Sequence, residues 1–149
     1  MDDIDRKLLN EVQTGFPITE RPYKYLGDQL NCTENEIFVR IRRLIKDGII
    51  RRIGGSFSSK KLGFTSTLCA AKVPEDKIGK FVKEVNKYPE VTHNYLRNHE
   101  YNVWFTFIAS DMNAINNYIS QIVRYTGVKD ILNMPALATY KILVDFHIS

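Results

Sequence analysis

Residues 91 to 105, VTHNYLRNHEYNVWF, hold two histidines, an arginine, two tyrosines, three asparagines and the chain's single tryptophan. A strand pair that only covers a core needs aliphatic residues, so this concentration of polar and aromatic groups points to a site. On a strand, alternate residues share a face. Val91, His93, Tyr95, Arg97 and His99 then lie on one side, and Thr92, Asn94, Leu96 and Asn98 on the other. After a turn near NHE, a second strand places Asn102, Trp104 and Thr106 on one face. Tyr101, Val103, Phe105 and Phe107 form its apolar face. The first row offers a guanidinium to clamp an anion, imidazoles that exchange a proton near neutral pH, and flat ring walls. Singly, each residue has a plainer reading: His93 or His99 as hydrogen-bonded structure, Trp104 as core or subunit contact, Arg97 as a surface charge. Their co-occurrence on one face argues for a ligand that is large, flat and polyanionic.

Two stretches of different grammar must position these groups. In the first, DDIDRKLLNEV opens with acidic residues suited to a helix start and repeats Ile4, Leu8, Leu9 and Val12 at helical spacing. RPYKYLGDQL has Pro22 near a start position and Tyr25, Leu26 and Leu30 on one side. The third helix begins at Thr33, with Glu36 completing a capping box, carries Ile37, Ile41, Leu44 and Ile45 on its apolar face, and ends at Gly48. With IIRRIGGSF as a two-stranded wing, this reads as a winged helix-turn-helix over residues 1–55. The second stretch alternates: strand 65–73, helix 74–88 (Ile78, Phe81, Val82 and Val85 inward), the two strands described above, helix 111–127 and strand 137–146. That order is a ferredoxin-like βαββαβ domain over residues 62–149, so the fold class is α+β.

The totals exclude several classes. The chain has 149 residues, 44% hydrophobic and 26% charged, as an ordinary globular protein has. No apolar run approaches the roughly 18 residues of a membrane span. The charged opening MDDIDRKLLN does not read as a leader. Cys32 and Cys69 lack metal-site spacing and read as free thiols of a cytoplasmic protein. The net charge of +4 is spread thinly: residues 1–55 carry ten Lys and Arg against nine Asp and Glu, and residues 56–149 carry eleven against eight. A recognition helix opening TENEIF would turn Glu34 and Glu36 towards a polyanion, so nucleic acid is not the expected partner.

The stretch FVRIRRLIKDGIIRRIGG resembles the Lrp/AsnC transcription-factor family, which joins a winged helix-turn-helix to a ferredoxin-like dimerisation domain. VTHNYLRNHEYNVWFTF, with FPITERPYKYLG upstream and RRIGGSFSSKKLGF between, is similar to a more specific group of the same architecture, the siroheme decarboxylases. This resemblance spans essentially the whole chain. It implies loss of two ring acetate carboxylates from siroheme, giving didecarboxysiroheme, in alternative heme or heme d1 biosynthesis. It also implies a dimer, of two related sister subunits or of one chain with itself. The substrate is an iron-containing tetrapyrrole whose macrocycle can hold the electrons of the broken bond, so no separate cofactor is required. Under this resemblance Arg97 holds a carboxylate. His93 or His99 donates the proton or ligates the siroheme iron, the protein itself supplying no other metal site. Tyr95 and Tyr101 donate hydrogen bonds or protons, Asn102 contacts substrate, Trp104 walls the ring, and Arg21 reaches in as a second clamp. Two rival readings stand beside it: an Lrp/AsnC-type DNA-binding regulator responding to a small ligand, and a heme-binding protein without turnover.

Overall fold

In the computed structural model, Asp2 starts the first helix by a reciprocal cap. Its carboxylate accepts from the Asp5 amide at 2.9 Å, while the Asp5 carboxylate accepts from the Asp2 amide at 2.9 Å. The structure describes residues 1–55, 57–141 and 147–148. Helix α1 is Asp3–Thr14, α2 is Pro22–Leu30 with Pro22 at its first position, and α3 is Glu34–Lys46. Leu8, Leu9, Leu26, Ile37, Ile41 and Leu44 close a small core between them. The α2–α3 turn is tight. A Cβ on Gly27 would stand 2.6 Å from the Cys32 carbonyl oxygen, so only glycine fits.

Several expectations are corrected here. Thr33 caps α3 by accepting from the Glu36 amide, but the Glu36 carboxylate turns to Arg40 instead of back to Thr33, so the box is half made. Tyr25 and Ile45, expected on apolar faces, are exposed. No strand forms over residues 49–55, so the two-stranded wing is absent among the described residues. IIRRI pairs like with like instead of alternating, and Gly54 and Gly55 bring no side chain to a sheet face.

The second unit is a four-stranded antiparallel sheet with two helices. Its elements are β1 (Thr65–Ala71), α4 (Ile78–Val85), β2 (Val91–Leu96), β3 (Val103–Ala109), α5 (Met112–Thr126) and β4 (Ile131–Pro135). The strand order is β2-β3-β1-β4, the ferredoxin-like arrangement. Phe81 and Val85 of α4 and Ile115 and Ile122 of α5 pack on Cys69, Ala71, Val103, Phe105 and Phe107 of the sheet. The last strand was expected over 137–146. Among the described residues the last strand is β4, pairing Leu132 with Ala70 and Met134 with Leu68. ILNMP, where no element was expected, becomes a strand by pairing with β1. Residues 137–141 are not strand, and 142–146 lie outside the described residues.

The chain divides into units of Met1–Ser56 with Lys141–Ser149, and of Phe57–Tyr140. The tail thus groups with the helices, whereas the expected second domain ran to residue 149. Asn10 anchors it: its amide donates to the Ile148 carbonyl at 3.0 Å and accepts from the Ile148 amide at 3.1 Å.

Candidate functional site

Strand β3 alternates cleanly: Val103, Phe105, Phe107 and Ala109 are buried, while Trp104, Thr106 and Ile108 are half-buried on the other face. Opposed residues of an antiparallel pair share a face. β2 sets Leu96 against Val103 and Asn94 against Phe105 on the helix-covered face. It sets Tyr95 against Trp104 and His93 against Thr106 on the open one. A bulge between Val91 and His93 breaks the alternation, and Val91 pairs with buried Phe107. Val91 therefore leaves the expected row. β2 also ends at Leu96, so Arg97 and His99 sit in the connecting loop and not on the strand.

The open face still gathers most of the row. The His93 and Tyr95 rings stack with centroids 6.0 Å apart. The Arg97 guanidinium lies 6.0 Å from the Tyr95 ring centre and 5.5 Å from that of Trp104. Among the described residues that guanidinium has no carboxylate partner and no hydrogen bond, and the Tyr95 hydroxyl has none either. A permanent cation is thus held against two aromatic planes with its donors unused.

The loop from Arg97 to Asn102 carries the remaining groups. Its ends close through the Arg97 amide, which donates to the Asn102 carbonyl at 2.7 Å. The Tyr101 amide donates to His99 Nδ1 at 3.1 Å, and the His99 ring stacks on Tyr101. A backbone N–H has only a proton to give, so Nδ1 is the acceptor and Nε2 carries the proton of the neutral ring. Trp104 Nε1 donates to the Tyr101 carbonyl at 2.6 Å. His93 Nδ1 meets the Thr92 hydroxyl at 3.0 Å.

Two expected contact residues are engaged elsewhere. The Tyr101 hydroxyl donates to Asp130 at 3.0 Å, and that bond together with burial raises its pKa above the usual phenol value. Asn102 spends its amide on Val73, accepting from the backbone N–H at 2.9 Å and donating to the carbonyl at 2.8 Å. Asp130 and Val73 were not singled out in the sequence, and nothing local marks them. Lys72 adds an ion pair to Glu100, which holds that carboxyl below its usual range. No group of three or more His, Cys, Asp and Glu side chains suited to a metal forms among the described residues.

Arg21 belongs to the helical unit, at the start of α2, and is ion-paired with Glu34. Two of the arginines that a DNA reader would offer are similarly engaged, and a third contacts a ring. Arg40 binds Asp2, Asp5 and Glu36, Arg43 binds Asp5, and Arg42 lies over the Phe38 ring at 5.6 Å. The acidic first turn of α3 would meet the phosphates.

Two family models match the chain: a siroheme decarboxylase NirDL-like HTH domain over residues 5–51 and an AsnC-like ligand binding domain over residues 61–141. The siroheme decarboxylase alpha subunit of Nitratidesulfovibrio vulgaris (strain Hildenborough) is 55% identical over 147 residues, covering 99% of this chain and 83% of that protein. The chain belongs to the siroheme decarboxylase family. The siroheme decarboxylase NirD subunit of Pseudomonas aeruginosa is 37% identical, covering 98% of this chain and 96% of that one. Among solved structures, siroheme decarboxylase NirDL in complex with an iron-uroporphyrin III analogue aligns at 29% identity and a TM-score of 0.68. The match covers 95% of this chain and 48% of that one. Escherichia coli AsnC, at 18% identity and a TM-score of 0.80, shares the fold. The family's helix-turn-helix is therefore present here, with two of the α3 arginines, Arg40 and Arg43, held in ion pairs.

Proposed function

We propose that this chain is the alpha-type subunit of a siroheme decarboxylase, removing two ring acetate carboxylates of siroheme to give didecarboxysiroheme. The observation that carries the proposal is the unpaired Arg97 guanidinium lying across Tyr95 and Trp104, beside two histidines. A flat polycarboxylate can place its ring against the aromatic walls and one carboxylate on the guanidinium. The alpha-type assignment rests on relatives of that name at 53–55% identity, against 33–37% for NirD and NirG subunits. The match to half of the NirDL chain supports a working unit of two such modules, this chain with a related subunit. The β1–β4 side of the open sheet face, with Leu68, Leu132 and Met134 exposed, is the surface we assign to that pairing, leaving the β2–β3 side to the substrate.

Each decarboxylation breaks the bond between the acetate methylene and its carboxylate. The carboxyl carbon leaves as CO2, and the electron pair stays on the methylene, delocalised into the substrate's own macrocycle. One proton then converts methylene to methyl. Arg97 serves best on a carboxylate that remains, because tight pairing with the departing one would stabilise the ground state. We assign proton delivery to His99, which turns Nε2 away from its Tyr101 bond; the acid would be its imidazolium, because loss of Nε2–H from the neutral ring would leave an imidazolate. We assign the other role, contact with the substrate's iron, to His93, which shares the open face with Tyr95.

Anaerobic incubation of the chain and its sister subunit with siroheme, followed by mass analysis, tests the activity. Loss of two CO2 is the expected result, and unchanged siroheme refutes it. A shift of promoter DNA beyond a random-sequence control would instead favour the regulator, and stoichiometric siroheme binding without CO2 the non-catalytic binder. Arg97→Ala should weaken siroheme binding roughly 10–100-fold, the loss of ~1.5–3 kcal/mol expected for hydrogen bonds to a charged group. Arg97→Lys should recover only part, since an ammonium lacks the planar fork. A visible-absorbance titration with wild-type affinity in Arg97→Ala would remove Arg97 from the site.

A further inference from the structure

We infer that Asn102 is a positioning residue that sets the Arg97–His99–Trp104 constellation, and that it does not contact substrate. The inference deepens the decarboxylase reading and rests on it. Both ends of the Asn102 amide are held by one backbone unit, Val73 N–H at 2.9 Å and Val73 C=O at 2.8 Å. Val73 is itself buried in the core of the sheet unit, so the clasp ties the loop to that core. Arg97, His99 and Trp104 each lead back to this anchor. Arg97 N–H donates to the Asn102 carbonyl. The neighbouring residue, Tyr101, gives its amide proton to His99 and its carbonyl to Trp104. The Tyr101 side chain is pinned to Asp130, whose carbonyl accepts from the Lys72 amide at 2.9 Å. One displaced peptide at 101–102 would therefore release the tautomer of His99, the tilt of Trp104 and the root of Arg97 together.

The test compares wild type with Asn102→Ala and Asn102→Asp, each first shown to melt cooperatively. Asn102→Asp keeps an acceptor for Val73 N–H and loses only the donor, so it retains one of the two bonds. The primary readout is the His99 ring by long-range 1H–15N correlation, assigned against His99→Gln. Wild type should show the Nε2–H form alone, and the variants a mixture with Nδ1–H. With siroheme, kcat should fall by the roughly 10- to 10²-fold that misplaced groups cost, with a smaller change in KM, and Asn102→Asp should lose less than Asn102→Ala. A general loss of stability would move neither the tautomer ratio nor the order of the two variants. An unchanged tautomer in both variants overturns the inference, as does a wild-type kcat in Asn102→Ala. Because the ring readout needs no turnover, it decides the clasp even if siroheme proves not to be the substrate.

Discussion

His99→Ala should bind siroheme and decarboxylate it about 10²–10⁴-fold more slowly, the contribution of a positioned acid. The ring is exposed in the 97–102 loop and its removal leaves no cavity, so the variant should fold as wild type does. Its Nδ1 accepts from Tyr101, which leaves Nε2 as the nitrogen that can face substrate. Single-turnover release of CO2 under saturating siroheme separates the proton step from binding. His93→Ala, by contrast, should act through the iron: its bound siroheme should show an altered visible spectrum, while His99→Ala keeps the wild-type one. Wild-type turnover in His93→Ala, His99→Ala and Arg97→Ala alike would mean that the site lies elsewhere and that the row is structural.

Asp5→Ala should cost about 3–5 kcal/mol, the penalty for breaking a buried ion pair, out of a total stability of about 5–15 kcal/mol. Asp5 is the one fully buried carboxylate of the described chain. It accepts from the Asp2 amide, from Arg40 Nη1 at 2.9 Å and from Arg43. Arg40 keeps Asp2 and Glu36 after the substitution, so the loss should fall towards the lower end. Burial by itself would raise the Asp5 carboxyl. The Asp2 amide, Arg40 and Arg43 outweigh it and hold the group below its ordinary 3.8, and Asp2, bonded to Arg40, is lowered to about 2. A depressed carboxyl contributes its full stability above the unfolded value and loses it as pH falls through the folded one. The difference in denaturation midpoint between wild type and Asp5→Asn should therefore be constant from neutral pH down to about 4 and shrink as pH falls further. A difference that stays constant well below pH 4 would mean that Asp5 is not held ionised by the cluster.

The amphipathic repeats of α1 and α3 and the strict alternation of β3 were legible because each is a local period that one buried face imposes. The residue types of the proposed site were also legible locally: VTHNYLRNHEYNVWF spends chemistry where packing does not need it. The sequence by itself thus determined the α+β class and, the wing apart, the order of its elements up to the second helix of the sheet unit, and it singled out the stretch that holds the candidate site. Tertiary structure decided what depends on a partner across space. β4 is a strand because β1 lies beside it. The bulge takes Val91 to the core face, a change that pairing register controls and alternation does not reveal. Tyr101 and Asn102 look like ligand contacts in the motif, yet Asp130 and Val73, each 29 residues away, claim their polar groups. Arg21 looks like a clamp until Glu34 is found against it. A hydrogen bond or ion pair is satisfied by whichever group the fold brings within about 3 Å, and sequence distance carries no record of that choice.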